Sequence, residues 1–271
     1  MKIFIFGSNG MLGNYVKSYL DKYYTIISLT RNDYDLANFN INSLEKLLDN
    51  KNIEKDDVII NCAGVIPQAS NQRGLNTRLY FIVNSLFPVI LSQICDKVGA
   101  KIIHITTDCV FSGKDGNYHE DSIHDETNDY GMSKSLGELC KATIIRTSII
   151  GEEINNKRCL LEWVKSNAGK SINGYKNHYW NGITCLQLSK IIGEIVEQDL
   201  YWEGVRHIFT PYSVNKYELV KNISTIYNLD IHVYEFETEN KIDKTIISNY
   251  TPLFKIPELY VQIEEMKSFN L

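Results

Sequence analysis

The chain has no excess of basic residues: 28 Lys and Arg stand against 33 Asp and Glu, for a formal net charge of −5. Nucleic-acid binding through a positively charged face is therefore excluded. No two of the six cysteines, at 62, 95, 109, 140, 159 and 185, have the C-x-x-C spacing of a zinc or redox site. Most lie in apolar stretches, where a reduced, buried thiol is the default. A metal-dependent hydrolase is excluded in the same way, for want of a clustered ligand set. No apolar run approaches the roughly 20 residues that span a bilayer. The opening M-K-I-F-I-F-G resembles a signal peptide only superficially, because its apolar part is short and runs into a glycine loop. A cytoplasmic protein with no membrane partner is expected. No repeat, low-complexity tract or linker divides the 271 residues, a length that suits one core with a smaller lobe.

What is present begins at the N-terminus. Residues 1–6 read as a buried strand, followed by G-S-N-G-M-L-G and an amphipathic segment at 14–21. Strand, glycine turn and helix form the dinucleotide-binding arrangement. Gly7 permits the tight turn, Gly10 lets backbone N–H groups approach a pyrophosphate at the helix N-terminus, and Gly13 permits close helix–strand packing. Asn9, Met11 and Leu12 belong to the same cradle. Residues 24–29 read as the second strand, ending in Thr30-Arg31. An arginine there can pair with the 2′-phosphate of NADP, so NADPH is favoured. A solvent-facing arginine is the alternative, and Asp33 and Asp35 keep NADH open. Strands are expected at 57–61, 101–106, 144–150 and 205–210. Helices are expected at 43–48, 80–98 (with Asn84), 157–166, 184–198 (Thr184 as N-cap) and 215–227, and a polar, aromatic loop at 173–183. Cys62, Ala63 and Gly64 are small enough for the backbone to lie against a cofactor. The alternation predicts an α/β doubly wound parallel sheet of Rossmann type. Its dinucleotide-binding part spans 1–151, and a smaller α/β substrate lobe, interleaved with the first, spans 152–271.

Thr107 ends a strand, at the edge of a parallel sheet where ligands bind. T-T-D-C-V-F leads on to Y-G-M-S-K, whose Tyr130 and Lys134 share a helix face. A lysine beside a phenol favours the phenolate, which passes a proton to or from a carbonyl or alcohol oxygen near neutral pH. Alone the spacing is common; its weight comes from following a complete dinucleotide pattern. Cys109 adds a thiol able to act as a base.

These motifs, with N-C-A-G, Y-G-M-S-K-S-L-G-E and I-I-R-T-S in order, make the chain resemble an extended short-chain dehydrogenase/reductase of the dTDP-4-dehydrorhamnose reductase subgroup. The match covers most of the chain and is strongest up to Gly151. The subgroup has tyrosine where this chain has Cys109. Bifunctional 3,5-epimerase/4-reductases of GDP-fucose and UDP-rhamnose synthesis carry cysteine there, so the resemblance implies epimerisation at carbons 3 and 5 before reduction. Cys109 is then the base. Thr107 and Tyr130 stabilise the enolate, Tyr130 protonates the final alkoxide, and Lys134 holds the nicotinamide ribose. Lys176 or His178 is the opposite-face acid, Lys176 being preferred by likeness to plant UDP-rhamnose synthases; an exposed loop residue or a diphosphate contact is the alternative for either. UDP is the expected nucleotide, dTDP the next, and a homodimer the family-level expectation. Tyr175, Tyr179, Trp180 and Asn181 are candidates for the base, and Arg73, Arg78 and Lys170 for the diphosphate. The rivals are a monofunctional reductase in which Cys109 only packs and a non-catalytic cofactor-binding subunit. A 4,6-dehydratase would need an acid at Cys109.

Overall fold

Runs of Ile, Val and Phe between turn signals become the strands of one sheet. The computed structural model describes residues 1–67, 77–155 and 157–271. The first five strands are β1 (Lys2–Phe6), β2 (Thr25–Leu29), β3 (Val58–Asn61), β4 (Lys101–Thr107) and β5 (Thr143–Thr147). Further strands follow: β6 (Ile149–Ile150), β7 (Ser171–Tyr175), β8 (His178–Trp180), β9 (Ile183–Thr184), β10 (Gly204–His207), β11 (Val214–Asn215), β12 (His232–Phe236) and β13 (Ile242–Asp243). Six of them form a wholly parallel sheet in the order β10-β5-β4-β3-β1-β2. The chain leaves β1 for β2 on one side and resumes at β3 on the other. That reversal opens a crevice at the C-terminal ends of β1 and β3, the usual ligand site of such a sheet.

Period-two alternation sorts the side chains into two layers. Ile3, Ile5, Val58, Ile60, Ile103 and Ile105 pack on one face with the helices Met11–Leu20 and Cys185–Glu197. Phe4, Phe6, Ile59, Ile102 and Ile144 pack on the other with Ile41–Asn50 and Phe87–Val98. Because both faces are covered, β1 and β3 read as continuous apolar runs.

Two expectations are modified. Thr77–Val98 forms a helical stretch of 22 residues, long and apolar enough by length and composition to cross a membrane. The expectation that no segment reaches that length is therefore corrected. Half of its apolar window is buried, and Phe87, Leu91 and Ile94 sit in the second core layer. Residues 173–183 are strand-rich rather than a loop. Their strands pair with distant segments, β7 with β12 and β8 with β11 and β13, so no local hairpin signal marks them. The sheet also draws its sixth strand, β10, from beyond residue 151.

Candidate functional site

The glycine turn opens the crevice. Gly7 takes φ +74°, a left-handed conformation that suits glycine, and a Cβ on Gly13 would lie 2.1 Å from the Gly7 carbonyl oxygen. The helix that follows begins at Met11 with no side-chain cap. Its first N–H groups, those of Met11 and Leu12 among them, are therefore free to bind an anion. Leu12 is itself buried, so only its backbone is available there, while Asn9 and Gly10 are exposed. Arg31 stands at the end of β2 with its side chain 60% exposed and its Nε 4.0 Å from Asp35. Asp33 is turned back on Thr30, accepting its N–H at 2.9 Å and its hydroxyl at 2.8 Å, and these bonds hold its carboxyl below the ordinary range. Cys62 and Ala63 are half-buried after β3, and burial pushes the Cys62 thiol up to about 12.

Gly64, Asn84 and Lys134 converge on one wall. A Cβ on Gly64 would sit 3.5 Å from Asn84 Oδ1 and 3.7 Å from Lys134 Nζ. Asn84 lies in a π-helical segment, Ile82–Leu86, a local widening often found at functional sites. Its amide accepts the Val65 N–H at 2.9 Å and donates to Ser133 Oγ at 3.1 Å. Gly137 lets the helix Asp129–Gly137 approach closely, since a Cβ there would meet the Asn84 carbonyl at 2.1 Å. These groups fit a dinucleotide: an uncapped helix N-terminus for the pyrophosphate, a bare wall, and a cation behind it.

Thr107, Cys109 and Tyr130 meet at the C-terminal edge of β4, each half-buried. The Thr107 hydroxyl donates to Asp108 at 3.1 Å and accepts the Cys109 N–H at 3.2 Å, and Tyr130 shares a side-chain hydrogen bond with it. The phenolate expectation is corrected. Burial is the largest influence on Tyr130 and raises its pKa, with Cys109 adding to the rise, while the lowering influence is Thr107. Lys134 donates at 3.1 Å to the Ile105 carbonyl and is pushed down to about 8 by burial, Glu138 opposing the shift. The Cys109 thiol is pushed up to about 12, by burial first and then by Asp108, with Lys244 pulling the other way.

Lys176 is not brought to this cluster. Its side chain is 41% exposed and paired with Glu235 at 2.9 Å, which raises its pKa. His178 is half-buried, with Nε2 2.8 Å from Thr238 Oγ1, and its pKa is lowered by burial and by Lys216. Trp180 is buried in the core, and Asn181 spends its amide on Ile246, donating at 2.8 Å and accepting at 3.0 Å. Neither is free to read a base. Tyr175 packs on His178, and Lys241 lies over Tyr179. Lys170 donates to the Ser166 carbonyl, Arg78 is exposed, and Arg73 lies outside the described residues.

Sequence reasoning missed Lys216 and Lys244. Lys216 opens the helix Lys216–Tyr227, lies 5.2 Å over the Trp180 ring, and interacts electrostatically with Asp108 and Cys109. Lys244 donates to the Phe111 carbonyl at 2.8 Å and interacts with Asp108 and Cys109. Both come from far along the chain, and lysine in a polar stretch carries no local signal. Also missed was the buried guanidinium of Arg146. It donates to Glu138, to His207 Nε2 at 2.8 Å and to His124 Nε2 at 2.8 Å. A cavity of about 180 Å³ lies elsewhere, between β10 and residues 248–256. It is lined mainly by apolar side chains and by Arg206, whose guanidinium is stacked on Trp202 and Tyr250.

A family model described as RmlD substrate binding domain matches residues 1–242. A dTDP-4-dehydrorhamnose reductase of Burkholderia thailandensis is 31% identical over 144 residues, 52% of this chain and 46% of that protein. The chain spans about half the length of the curated relatives it matches. A solved dTDP-4-dehydrorhamnose reductase of Bacillus anthracis, in complex with NADP, has a TM-score of 0.82 at 23% identity and 98% coverage of both chains. One from Clostridium acetobutylicum has a TM-score of 0.80 at 23% identity and 99% coverage of both. These structural likenesses bear on the fold, which they share.

Proposed function

The chain belongs to the RmlD substrate binding domain family, and on that premise we propose that it is an NADPH-dependent 4-ketoreductase of a 6-deoxy sugar nucleotide that first epimerises carbons 3 and 5. The observation that carries this reading is the convergence of Thr107, Cys109 and Tyr130, with Lys134 behind them. Bound NADPH supplies the hydride for carbon 4. Tyr130 and Thr107 hold the keto oxygen, and Tyr130 gives its proton to the alkoxide. Burial keeps Tyr130 a phenol, which suits a proton donor. Lys134, Asn84 and Gly64 take the nicotinamide ribose. Gly7, Asn9, Gly10, Met11 and Leu12 take the pyrophosphate, with Cys62 and Ala63 alongside. Arg31 takes the 2′-phosphate, NADH being the second choice.

The same ketone acidifies the neighbouring carbons. Cys109, as thiolate, removes a proton; Thr107 and Tyr130 stabilise the enolate; an acid returns the proton from the opposite face. His178, the other candidate, replaces Lys176, which is paired with Glu235, as the proposed donor. Lys244 and Lys216 are the positive neighbours that favour ionisation at Asp108 and Cys109. The UDP expectation leaned on Lys176 as partner of Cys109. We therefore rank dTDP, the nucleotide in the relatives' names, first and UDP second. A monofunctional reductase is the second reading, favoured by the elevated pKa of the Cys109 thiol.

The test is NMR of the product formed from dTDP- or UDP-4-keto-6-deoxyglucose with NADPH in deuterated water. Deuterium at carbons 3 and 5 with the rhamnose configuration is expected, and Cys109→Ser abolishes both while still reducing the epimerised ketone. Reduction without exchange would leave the monofunctional reading, and no turnover with either nucleotide would remove the proposal.

A further inference from the structure

Arg146 and Arg206 stand on the paired strands β5 and β10 and meet different surroundings. The Arg146 guanidinium is saturated by Glu138, His124 and His207. Arg206 is half-buried on the edge strand β10. Among the described residues its guanidinium meets aromatic rings rather than a carboxylate: it lies 5.0 Å from the Trp202 ring and 4.8 Å from the Tyr250 ring. Trp202 is itself fixed. Its Nε1–H donates to the Gly204 carbonyl at 3.0 Å, its N–H donates to the Thr143 hydroxyl at 3.1 Å, and its carbonyl accepts that hydroxyl at 2.7 Å. Two rings held against a guanidinium restrict its rotamers and leave its planar fork of N–H donors to an incoming anion.

Arg206 lines the cavity of about 180 Å³ between β10 and residues 248–256. At about 10–15 Å³ for each water-sized probe, that space holds on the order of ten non-hydrogen atoms. The fold holds the cavity open. Residues 248–256 form no helix or strand and are pinned at two places. Glu120 accepts the Ser248 hydroxyl at 2.6 Å and the Asn249 N–H at 2.9 Å, and Phe254 is buried in the main core. Between these anchors Thr251, Pro252 and Leu253 line the cavity and are exposed. The opposite wall is equally firm: Ile208 belongs to the main core, and Phe209 packs on the cluster of Phe111 and Tyr118. A site with such walls is preformed.

We propose that this cavity is a second ligand site, for a small monocarboxylate with a flat apolar body, whose carboxylate is held by Arg206.

The lining sets the chemical class. Among the described residues around the cavity, Arg206 supplies the charge. His207 also lines it, but both its ring nitrogens are engaged: Nε2 accepts from Arg146 at 2.8 Å, and Nδ1–H donates to the Ile247 carbonyl at 2.6 Å. One cation among Phe209, Leu253, Phe254 and Ile256 balances one negative charge. A diphosphate would bring more charge than this lining can neutralise, and a neutral hydrocarbon would leave the guanidinium unpaired. A carboxylate matches the planar fork with two parallel hydrogen bonds, and an apolar body covers the remaining walls. The site is separate from the cluster of Thr107, Cys109 and Tyr130 at the C-terminal edge of β4, so it does not depend on the proposed reduction.

The experiment titrates 2-naphthoate into the full chain labelled with 5-fluorotryptophan and reads fluorine NMR. The chain has three tryptophans, Trp163, Trp180 and Trp202. The Trp202 resonance should shift and saturate, with a Kd on the order of 0.1 mM, while those of Trp163 and Trp180 stay in place. In Arg206→Met the affinity should fall on the order of tenfold or more. The neutral amide, 2-naphthamide, should bind the wild type more weakly by a similar factor, which tests the role of charge even where the variant fails to fold. Thermal unfolding of Arg206→Met identifies that case. Equal binding of acid and amide overturns the assignment of Arg206. A shift that never saturates, or that moves all three resonances alike, overturns the site. Displacement of 2-naphthoate by dTDP or UDP would make the cavity part of the sugar-nucleotide cleft and overturn a second ligand.

Discussion

At Cys109, burial and charge pull in opposite directions. Desolvation and Asp108 push the thiol up to about 12, and Lys244 opposes them. In the free protein, Cys109 should therefore react with iodoacetamide at pH 8 on the order of 10²-fold more slowly than an unperturbed thiol of pKa about 8.5. Lys244→Met should slow it further, because the lysine favours the thiolate. Peptide mapping by mass spectrometry reads the rate at each cysteine; labelling of Cys109 at the unperturbed rate would show that the thiolate is already formed. Thr107, Tyr130 and Lys134 were legible in the sequence because a strand end and a helical spacing are local patterns. Lys216, Lys244 and the Arg146–Glu138 pair were not. Their meaning lies in which distant backbone they are folded against, and Lys176 shows the same effect in reverse. It looked available in its own segment, yet β7 pairs with β12, whose Glu235 takes its ammonium across 59 residues of sequence.

At two helix starts, Thr184 and Asn215, sequence and structure agree closely, because a cap is a short-range hydrogen bond. Thr184 accepts the Gln187 N–H as expected, and Asn215 forms a full capping box. In that box the Asn215 side chain accepts the Glu218 N–H at 2.8 Å, and the Glu218 carboxylate accepts the Asn215 N–H at 2.9 Å. The residue so fixed is Lys216, the first of its helix. Asn215→Ala should cost about 0.5–2 kcal/mol. At about 2–4 °C per kcal/mol for a chain of this class, the melting temperature should fall by roughly 1–8 °C. Scanning calorimetry measures it, and an unchanged transition would mean that strand β11 alone holds the helix start. The strands of 171–184 were illegible for the converse reason. Their partly exposed, mixed burial lacks the continuous buried apolar run that marked β1, β3 and β5.

Across the whole molecule the hydrophobic layers ignore the midpoint of the chain. One core cluster runs from Ile3 on β1 through Ile150 to Leu188, Ile223 and Met266. The helix Cys185–Glu197 packs on Met11–Leu20, the helix that opens the glycine turn, and β10 completes the sheet beside β5. The expected division at 151 describes where the parallel alternation of the first half ends; it does not describe where burial ends. Residues 1–151 alone would expose Ile3, Ile5, Val16 and Leu20, which the later helices cover. At about 1.5–3 kcal/mol for each large apolar side chain uncovered, such losses match the whole net stability of a domain. The intact chain should therefore melt in one calorimetric transition with matching van't Hoff and calorimetric enthalpies, and the fragment 1–151 should lack a cooperative transition. Two resolved peaks, or a fragment that melts cooperatively and binds NADPH, would show that the glycine turn and its sheet stand without the second half.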